Sequence, residues 1–436
     1  MVRCSRVGLA ATLLCLAVPG MGHQTGGTTG EAILAPKEGV ATEGGPAEAM
    51  ATKGHDRSDP PSVEEKSSTI ELSAVYTADV WSNVRGGVRR GSRYLDNLDV
   101  TLVVDAERAF GWRGATLFAY GLYNNGTRFS EDLVGDAQGI SNIETGVRAA
   151  RLYEAWIEQR FASDRASLKF GLYDLNSEFD AIESAALFLN PSHGIGPDFS
   201  QSGLNGPSIF PTTSLALRGD LKVAENWLVR AAILDGVPGD PDRPTRTTIK
   251  LGKGDGALAV AELNYLDDST KAAVGYWRYT GRFEDLRALQ HADEPVERDG
   301  NEGLYMLVER RLTREENNIA QGLAGWVRLG FANKTLNPVQ RYIGGGLAYT
   351  GPFAGRDEDQ VGMAIGLVQF GDPFRRGLLL EGAQIGAREV IVEATYRAPV
   401  TDWLTLQPDL QYVINPGGRP KRENALILGL RAEFGF

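Results

Sequence analysis

Apolar and polar residues alternate along most of the chain from Ser68 to the last residue. In the first such segment, Ile70–Val80, apolar side chains alternate with polar ones that include Glu71 and Asp79. Because successive side chains of a β-strand point to opposite faces, each segment predicts a strand with one apolar and one polar face. About sixteen such segments occur, each close to the roughly 9–11 residues of a tilted membrane-spanning strand. We therefore predict an all-β fold, a transmembrane antiparallel β-barrel of about sixteen strands.

The final segment, Ala425–Phe436, shows the pattern most clearly. Its even-numbered positions are apolar and its odd-numbered positions are small or charged, with Ile427 as the one bulky exception. A soluble chain rarely stays apolar to its last residue, because chain ends fray into water. A terminal Phe after alternating apolar residues also resembles the closing strand of bacterial outer-membrane barrels. An ordinary half-buried strand would have the same local pattern, so this segment alone does not decide.

The connections between the predicted strands differ in length. Ser163–Arg165 and Thr401–Asp402 are short, whereas Asn125–Val147 and Asn176–Pro211 are long and polar. Short periplasmic turns and long outer loops are typical of outer-membrane barrels, and they favour a barrel over a soluble sandwich or propeller. Helical periodicity is nearly absent, and one short helix is predicted at Glu178–Phe188.

The chain begins with a segment typical of exported proteins. Arg3 and Arg6 precede an apolar stretch, which predicts a signal peptide over residues 1–22. Residues 23–67 are rich in Gly, Thr, Glu, Ala and Pro, and we predict a disordered periplasmic segment there. The barrel would then occupy residues 68–436. Because Cys4 and Cys15 both lie in the signal peptide, the exported chain would contain no disulfide and no thiol chemistry.

Composition and charge narrow the possible partners. The chain has 436 residues, with 45 Lys and Arg against 56 Asp and Glu, and a net charge of −11. Since this charge is negative and no basic stretch is dense enough, we predict no binding of nucleic acid. The longest apolar run, Val7–Pro19, is too short to cross a bilayer as a helix. No residue pattern indicates a cofactor or a metal site.

Several longer stretches, which occur in order along the chain, point to one family. They are Val134–Glu144, Tyr173–Asp180, Leu187–Asn190, Gly194–Gly203, Asn205–Pro211, Asp235–Pro241, Tyr276–Thr280 and Gln407–Gly417. Together these stretches resemble the carbohydrate-selective porin family of the OprB type, and the resemblance covers roughly Ser68 to the end. It implies a sixteen-stranded barrel in the bacterial outer membrane and passive uptake of sugars, such as glucose and similar mono- and disaccharides. The expected partners are these sugars, outer-membrane lipid and lipopolysaccharide, with an oligomer left open.

The long connection Asn176–Pro211 is the expected constriction of the pore. A barrel of sixteen strands would be an open channel unless a segment folds inward. Sugars present hydroxyl groups at their rim and apolar C–H faces, so selective passage needs hydrogen-bonding groups and aromatic side chains. Carboxylates and guanidinium groups make strong hydrogen bonds, yet the binding must stay weak enough for the sugar to leave.

Strand phase gives the candidates that line the pore. On Tyr153–Phe161, the phase of Tyr153 and Phe161 is expected to face lipid, whereas the phase of Glu154 and Trp156 is expected to face the pore. Taken singly, each charge is better explained as part of a solvated wall, but as a set, walls of mixed sign favour neutral polar solutes. The predicted pore-lining residues are Asp79, Arg151, Glu154, Trp156, Glu158, Arg160, Asp174, Asn176, Glu178, Asp198, Arg218, Arg328 and Gln411.

Functions other than a pore are an enzyme, an energised receptor and a structural barrel. Asn190–His193 contains a serine and a histidine, but neighbouring loop residues rarely converge as nucleophile and base. No H-E-x-x-H or G-x-S-x-G motif occurs, so we predict that the protein is not an enzyme. An energised receptor needs a folded plug, for which His23–Ser67 is too short and too polar. A non-conducting structural barrel and a general diffusion porin without sugar preference remain as alternatives.

Overall fold

A closed barrel of antiparallel strands forms the body of the molecule. The computed structural model of the chain describes residues 69–287, 296–315, 318 and 320–436. In that part, sixteen strands follow one another around the barrel, and the first strand pairs with the last. The predicted barrel of about sixteen strands is therefore confirmed. The predicted signal peptide and low-complexity segment, residues 1–22 and 23–67, lie outside the described residues and stay predictions.

The strands cover most of the described chain. They are β1 Ile70–Arg85, β2 Gly91–Asp105, β3 Ala115–Asn124, β4 Ala149–Phe161, β5 Ala166–Tyr173, β6 Ser214–Ala224, β7 Trp227–Asp235, β8 Ala257–Leu266, β9 Thr270–Glu284, β10 Glu297–Arg311, β11 Gly322–Ala332, β12 Val339–Thr350, β13 Gln360–Phe370, β14 Arg388–Thr401, β15 Leu404–Ile414 and β16 Ala425–Gly435.

The helices are short and lie in the connections. They are α1 Ala106–Phe110, α2 Pro191–Gly194, α3 Pro197–Ser200 and α4 Asp372–Leu380, with a π-helical turn at Ser130–Val134 and 3-10 turns at Leu175–Ser177, Glu183–Leu187 and Pro416–Gly418. The predicted helix at Glu178–Phe188 is thus only a single 3-10 turn, Glu183–Leu187. In the described ranges, no helix is both long enough and apolar enough to span a membrane.

The two faces of the barrel wall differ as the alternation predicts. On β16, Leu428 and Leu430 are exposed on the outer face, whereas Arg431 is buried on the inner face. Ile427, the bulky exception of this strand, is also buried on the inner face, where it packs with Phe129 and Leu133. Those two residues belong to a connection that folds into the barrel, so the inner face meets protein at this position instead of water.

The connections fall at two ends of the barrel. At the end with both termini of the barrel the described residues of the connections are 106–114, 162–165, 225–226, 267–269, 312–315, 318, 320–321, 351–359 and 402–403. At the opposite end they are L1 86–90, L2 125–148, L3 174–213, L4 236–256, L5 285–287 and 296, L6 333–338, L7 371–387 and L8 415–424. The predicted difference in length between the two ends is therefore a tendency with exceptions. Residues 106–114 form a longer connection that holds α1 at the end with the termini, and L1 and L6 are short connections at the opposite end.

L3 folds into the barrel, as predicted for the long connection. Its Phe199 is buried and stacks on Trp277 of β9, with ring centroids 5.0 Å apart. Carboxylates of the wall accept hydrogen bonds from its backbone: Glu262 accepts from the amide of Asp180 at 2.9 Å. These contacts satisfy backbone groups that the inserted loop would otherwise bury without partners.

L2 also folds inward, which the sequence analysis did not predict. Phe129, Leu133 and Ile140 of this loop are buried against the inner faces of β1, β2 and β14–β16. A signal was present, because these large apolar residues stand out in an otherwise polar connection. The hydrophobic core of the molecule therefore lies inside the barrel, between the wall and the inserted loops L2 and L3, and a further cluster packs α4 of L7 against β12 and β13.

The β9–β10 hairpin is longer than the alternation predicted. Exposed ion pairs join the two strands here: Arg278 and Glu302 lie 2.9 Å apart, and Arg282 and Asp299 lie 3.2 Å apart. The described residues after Thr280 on β9 and before Leu304 on β10 are mostly charged or glycine, with the buried Phe283 as their one large apolar side chain, so the sequence there shows no apolar alternation.

Candidate functional site

A cluster of charged side chains lies on the inner face of β4–β7, where L3 leaves the wall. Three members are acidic and three are basic, so the cluster carries no net formal charge. We call it the six-charge cluster; its members are Glu158, Lys169, Glu178, Arg218, Asp220 and Arg230.

Strand register creates this cluster. Lys169 of β5 lies directly opposite Glu158 of β4 on one side and Arg218 of β6 on the other. Asp220 of β6 faces Arg230 of β7 in the same way. Directly opposite residues on neighbouring strands have their Cβ atoms about 4.5–5.5 Å apart, so the side chains interact. Five members therefore meet because alternation points them inward at matching positions.

The sixth member, Glu178, comes from L3 and joins the others. Its carboxylate accepts hydrogen bonds from Nε of Arg218 at 2.7 Å and from Nζ of Lys169 at 2.8 Å. Arg218 also donates from Nη2 to Glu158 at 3.0 Å. Burial alone would raise the pKa of Glu178, but Lys169, Arg218 and Arg230 hold this pKa well below its ordinary value. Glu178 is therefore ionised at neutral pH.

The carboxylates of the cluster remain open to the lumen. The side chains of Glu158, Glu178 and Asp220 are 12%, 15% and 16% exposed, whereas that of Arg218 is 2% exposed. Arg230 binds Asp220 through two parallel hydrogen bonds of 2.9 Å. Arg218 and Lys169, which are 2% and 6% exposed, therefore lie against the wall, whereas Arg230 is 15% exposed beside Asp220. Together the cations hold the acidic groups where a solute can contact them.

Trp156 is part of the wall beside this cluster. Its ring stacks on Phe118 of β3, with centroids 4.8 Å apart, and Nζ of Lys169 of β5 lies 4.1 Å from its centroid. Since β3 and β5 flank β4 on opposite sides, the indole is held between Phe118 and Lys169. Trp156 thus positions Lys169 and is itself buried, which differs from the free aromatic plate that sugar chemistry suggested.

A second group of charges fixes the middle of L3 to β11. Arg328 donates to Asp180 from Nε at 3.0 Å and from Nη2 at 2.6 Å, and it also binds Asp198. The side chains of Asp180 and Asp198 are 0% exposed. Burial raises the pKa of Asp180 to about 7, although Arg328 acts in the opposite direction. Gly330 is required here, because a Cβ at this position would lie 2.2 Å from Oδ2 of Asp198.

Arg151 faces inward because of a β-bulge. Simple alternation from Glu154 would point Arg151 outward, but the β3–β4 register shifts at Tyr153. Both Arg151 and Tyr153 are consequently buried on the inner side, so the prediction that Tyr153 faces lipid is wrong. Arg151 donates to the carbonyl oxygen of Pro211 at 2.8 Å and thereby holds the last residues of L3.

Glu154, Asp174 and Asn176 hold the first residues of L3. Glu154 accepts from the backbone amide of Asp174 at 3.0 Å. Asp174 accepts from the hydroxyl of Tyr153 at 2.6 Å and from the amide of Asn176 at 2.8 Å. All three are buried, so their polar groups fasten the loop to the wall.

Asp79 and Gln411 hold L2 against the wall in the same way. Asp79 accepts from Nε of Arg431 at 2.8 Å and from the hydroxyl of Ser141 in L2 at 2.7 Å. Gln411 donates to the carbonyl oxygen of Ile140 at 2.9 Å.

The structure therefore divides the predicted pore-lining residues. Glu158, Glu178 and Arg218 come together in the six-charge cluster, most others anchor L2 or L3, and Arg160 is exposed at the terminal end of β4.

Three members of the cluster were missed in the sequence analysis. Lys169, Asp220 and Arg230 all lie in the inward phase of their strands, as Glu158 and Arg218 do. On β5, for example, the exposed Leu168 and Phe170 flank the buried Lys169. Strand phase would have found them if it had been applied to every strand.

The Ser192–His193 pair is not arranged as a nucleophile and base. The hydroxyl of Ser192 donates to Oδ1 of Asn190 at 2.7 Å, while Nδ1 of His193 lies 3.4 Å from the hydroxyl of Tyr342. Both residues are buried, and burial lowers the pKa of His193 to about 3. Over the described ranges, no group of three or more His, Cys, Asp or Glu residues is placed to hold a metal ion.

Comparisons with known proteins point to one family. The model of the family described as carbohydrate-selective porin, OprB family, matches residues 89–436. Porin B of Pseudomonas aeruginosa is 25% identical over 400 residues, which are 83% of this chain and 86% of that protein.

Solved structures show the same fold. The high-pH structure of Pseudomonas putida OprB matches with a TM-score of 0.77 at 20% identity, over 84% of this chain and 94% of that chain. The outer membrane channel DcaP of Acinetobacter baumannii matches with a TM-score of 0.51 at 10% identity, over 84% of this chain and 97% of that chain.

Proposed function

Because this chain belongs to the OprB family of carbohydrate-selective porins of the bacterial outer membrane, we propose that small neutral sugars cross it by diffusing past the six-charge cluster. Glucose and comparable mono- and disaccharides are the proposed solutes. The family is a family of channels, and we propose that this member has no catalytic activity. The observation that carries the proposal is a charge-balanced set of carboxylates and cations on the inner wall, with the carboxylates partly exposed.

The chemistry of the cluster suits sugar hydroxyl groups. A hydroxyl both donates and accepts, so it can donate to Glu158 or Asp220 while it accepts from a cation beside them. Hydrogen bonds to charged groups are stronger than those between neutral groups. Since the three positive and three negative charges cancel, the cluster favours neither cations nor anions, unlike a ring of one sign.

The pairing within the cluster keeps such binding weak. Every carboxylate already accepts a hydrogen bond from a cation, so an entering sugar shares existing partners and does not neutralise a bare charge. Weak and shared contacts allow the sugar to leave on the far side, which conduction requires.

Single-channel conductance in a planar bilayer, titrated with glucose and with maltose, tests the proposal. The current should fall saturably with either sugar. Glu158→Gln should weaken this block and shift ion preference toward anions, because it gives the cluster a net charge of +1. Glu433→Gln is the matched control: Glu433 is an inner-face carboxylate of β16, paired with Arg397 at 3.3 Å and 15% exposed.

Each other outcome counts against the proposal. Current without any sugar block indicates a general diffusion porin, and absence of current indicates a structural barrel. If Glu158→Gln and Glu433→Gln weaken the block equally, sugar binding does not depend on the six-charge cluster.

A further inference from the structure

The L1 and L8 connections carry a local excess of positive charge. Residues 85–93 and 415–424 together contain seven Arg and Lys but one acidic residue, Glu423, although the whole chain has a net charge of −11. Such a local reversal of sign has no role in the passage of neutral sugars. The local excess of positive charge therefore needs a separate explanation.

Two glycines bring the two loops together. Gly86 and Gly87 have φ values of +67° and +66°, a conformation that favours glycine. The amide of Gly87 donates to the carbonyl oxygen of Glu423 at 3.0 Å. A Cβ at Gly86 would lie 2.0 Å from the carbonyl oxygen of Asn424, so no other residue fits without movement. The positive charges of L1 and L8 thus share one site on the rim.

Some of these cations are already occupied, and others are free. Arg422 donates to the carbonyl oxygen of Gly135 at 2.6 Å, and Arg93 pairs with Asp132 at 3.4 Å. Arg85, Arg90 and Lys421 are exposed, and no hydrogen bond or ion pair involves their side chains among the residues that the structure describes. We call these last three residues the basic rim patch.

The basic rim patch borders the lipid-facing side of the barrel. The β1–β16 register shifts between Asn83 and Arg85, and this bulge puts Arg85 opposite Leu426, in the outward phase of β16. Below it on the same face are the exposed Val84 and Leu428. A cation above an apolar wall offers both parts of a binding site for a molecule with an anionic head and an acyl tail.

A tyrosine completes this surface. Tyr412 of β15 is exposed on the outer face beside the patch, and its hydroxyl accepts from Nδ2 of Asn424 in L8 at 3.2 Å. Tyrosine at a membrane interface keeps its ring in the apolar layer and its hydroxyl in the polar layer. Cations, a tyrosine and aliphatic side chains thus follow one another from the rim toward the membrane.

We propose that the basic rim patch binds the phosphate groups of a phosphorylated glycolipid in the outer leaflet, of the lipopolysaccharide type. The apolar wall below selects an amphiphile over a soluble anion. The free guanidinium groups of Arg85 and Arg90 suit bidentate binding of phosphate. This site is separate from the six-charge cluster and does not depend on sugar passage.

Binding of diphosphorylated lipid A to the full-length protein in detergent, measured by native mass spectrometry, tests the proposal. The triple variant Arg85→Gln, Arg90→Gln, Lys421→Gln should bind lipid A roughly tenfold more weakly or worse, since each cation near a lipid surface contributes substantially. The matched control is Arg113→Gln, Arg165→Gln, Lys222→Gln, which removes three exposed charges at the opposite end of the barrel. The control should bind lipid A as the parent protein does.

Three results would overturn the inference. These are unchanged binding in the rim variant, an equal loss in the control, or displacement of lipid A by an equal concentration of free pyrophosphate, which would identify a site for soluble anions. Channel conductance and its block by glucose should be the same in the rim variant and the parent. That readout shows that the variant is folded, and it keeps this test independent of the proposed sugar passage.

Discussion

Arg218 of β6 and Arg328 of β11 do similar work in different surroundings. Each is a buried arginine of the barrel wall that binds acidic groups of L3 through several hydrogen bonds: Arg218 binds Glu178, and Arg328 binds Asp180 and Asp198. The acids around Arg328, Asp180 and Asp198, are fully buried. Those around Arg218 are partly exposed to the lumen.

The surroundings decide what each ion pair contributes. At Arg328 the charges have no access to a solute, so their effect is to fix L3 in position. At Arg218 the carboxylates are both held in place and presented to the lumen. The pKa directions show the same contrast: burial raises the pKa of Asp180 to about 7, whereas three surrounding cations outweigh burial at Glu178 and hold its pKa well below the ordinary value. Contacts between an arginine and carboxylates thus fix L3 in position at Arg328, whereas at Arg218 they also present carboxylates to solutes.

The largest expected effect is that of Arg328→Leu. The substitution leaves two buried carboxylates without a cation, which costs about 3–5 kcal/mol when one partner of a buried pair is removed. L3 should leave the wall, so conductance should rise, sugar block should disappear and the thermal midpoint should fall. Adding Asp180→Asn and Asp198→Asn should restore much of the stability. Arg341→Leu, at an exposed site of β12, should change none of these quantities. Parental stability and conductance in Arg328→Leu would show that the buried ion pairs of Arg328 do not hold L3 in position.

Arg218→Gln should have a smaller effect on stability and a larger one on selectivity. Its carboxylates reach solvent, so we expect a loss of about 1–2 kcal/mol. The six-charge cluster would carry a net charge of −1 and should favour cations, which the reversal potential in a salt gradient measures. A stability loss equal to that of Arg328→Leu would show that solvent access does not separate the two sites.

Acidification should act on the two sites with opposite sign. The raised pKa of Asp180 means that the folded state binds more protons than the unfolded state between about pH 4 and pH 7, so this site gains stability as the pH falls from 7 to 5. The depressed pKa of Glu178 means that its contribution is present above about pH 4.5 and is lost below that value. Thermal unfolding at pH 7.5, 5 and 3.5 checks both signs. Asp180→Asn should reduce the gain in stability between pH 7.5 and 5 without abolishing it, because burial also raises the pKa of Glu144 in L2 to about 8. A decrease in parental stability over that interval would contradict the expectation.

The smallest effect is expected for Lys169→Met. Methionine can keep the packing on Trp156, and Glu178 retains hydrogen bonds with Arg218, so stability should change by less than about 1 kcal/mol. Ion selectivity should still shift toward cations, because one positive charge of the six-charge cluster is lost. If selectivity does not move, Lys169 lies outside the path that permeating ions follow.

The sequence was sufficient to predict the strands of the barrel wall, but not which loop residues contact their inner faces. Alternation correctly turned Glu158 and Arg218 inward, because the direction of a strand side chain depends only on its phase. It failed at Tyr153, where a bulge inserts one residue, and no local pattern marks that position. The partner of Arg328 could not be predicted either, because Asp180 lies far away in sequence and reaches β11 only through the fold of L3. The inward fold of L2 was missed for the same reason, since a loop takes its conformation from the surfaces that surround it.

The pairing of Asp79 with Arg431 has a consequence for assembly. These residues belong to the first and last strands, 352 positions apart, and they face each other across the seam where the barrel closes. Arg431 also donates to Asn142 and Asp79 accepts from Ser141, so the two together form the part of the seat of L2 that spans this seam. That seat does not exist until the C-terminal strand has joined the N-terminal one. Contacts of such long separation in sequence form late, so the interior of the channel acquires its final shape at the step that completes the barrel, and a chain cut short before β16 lacks both.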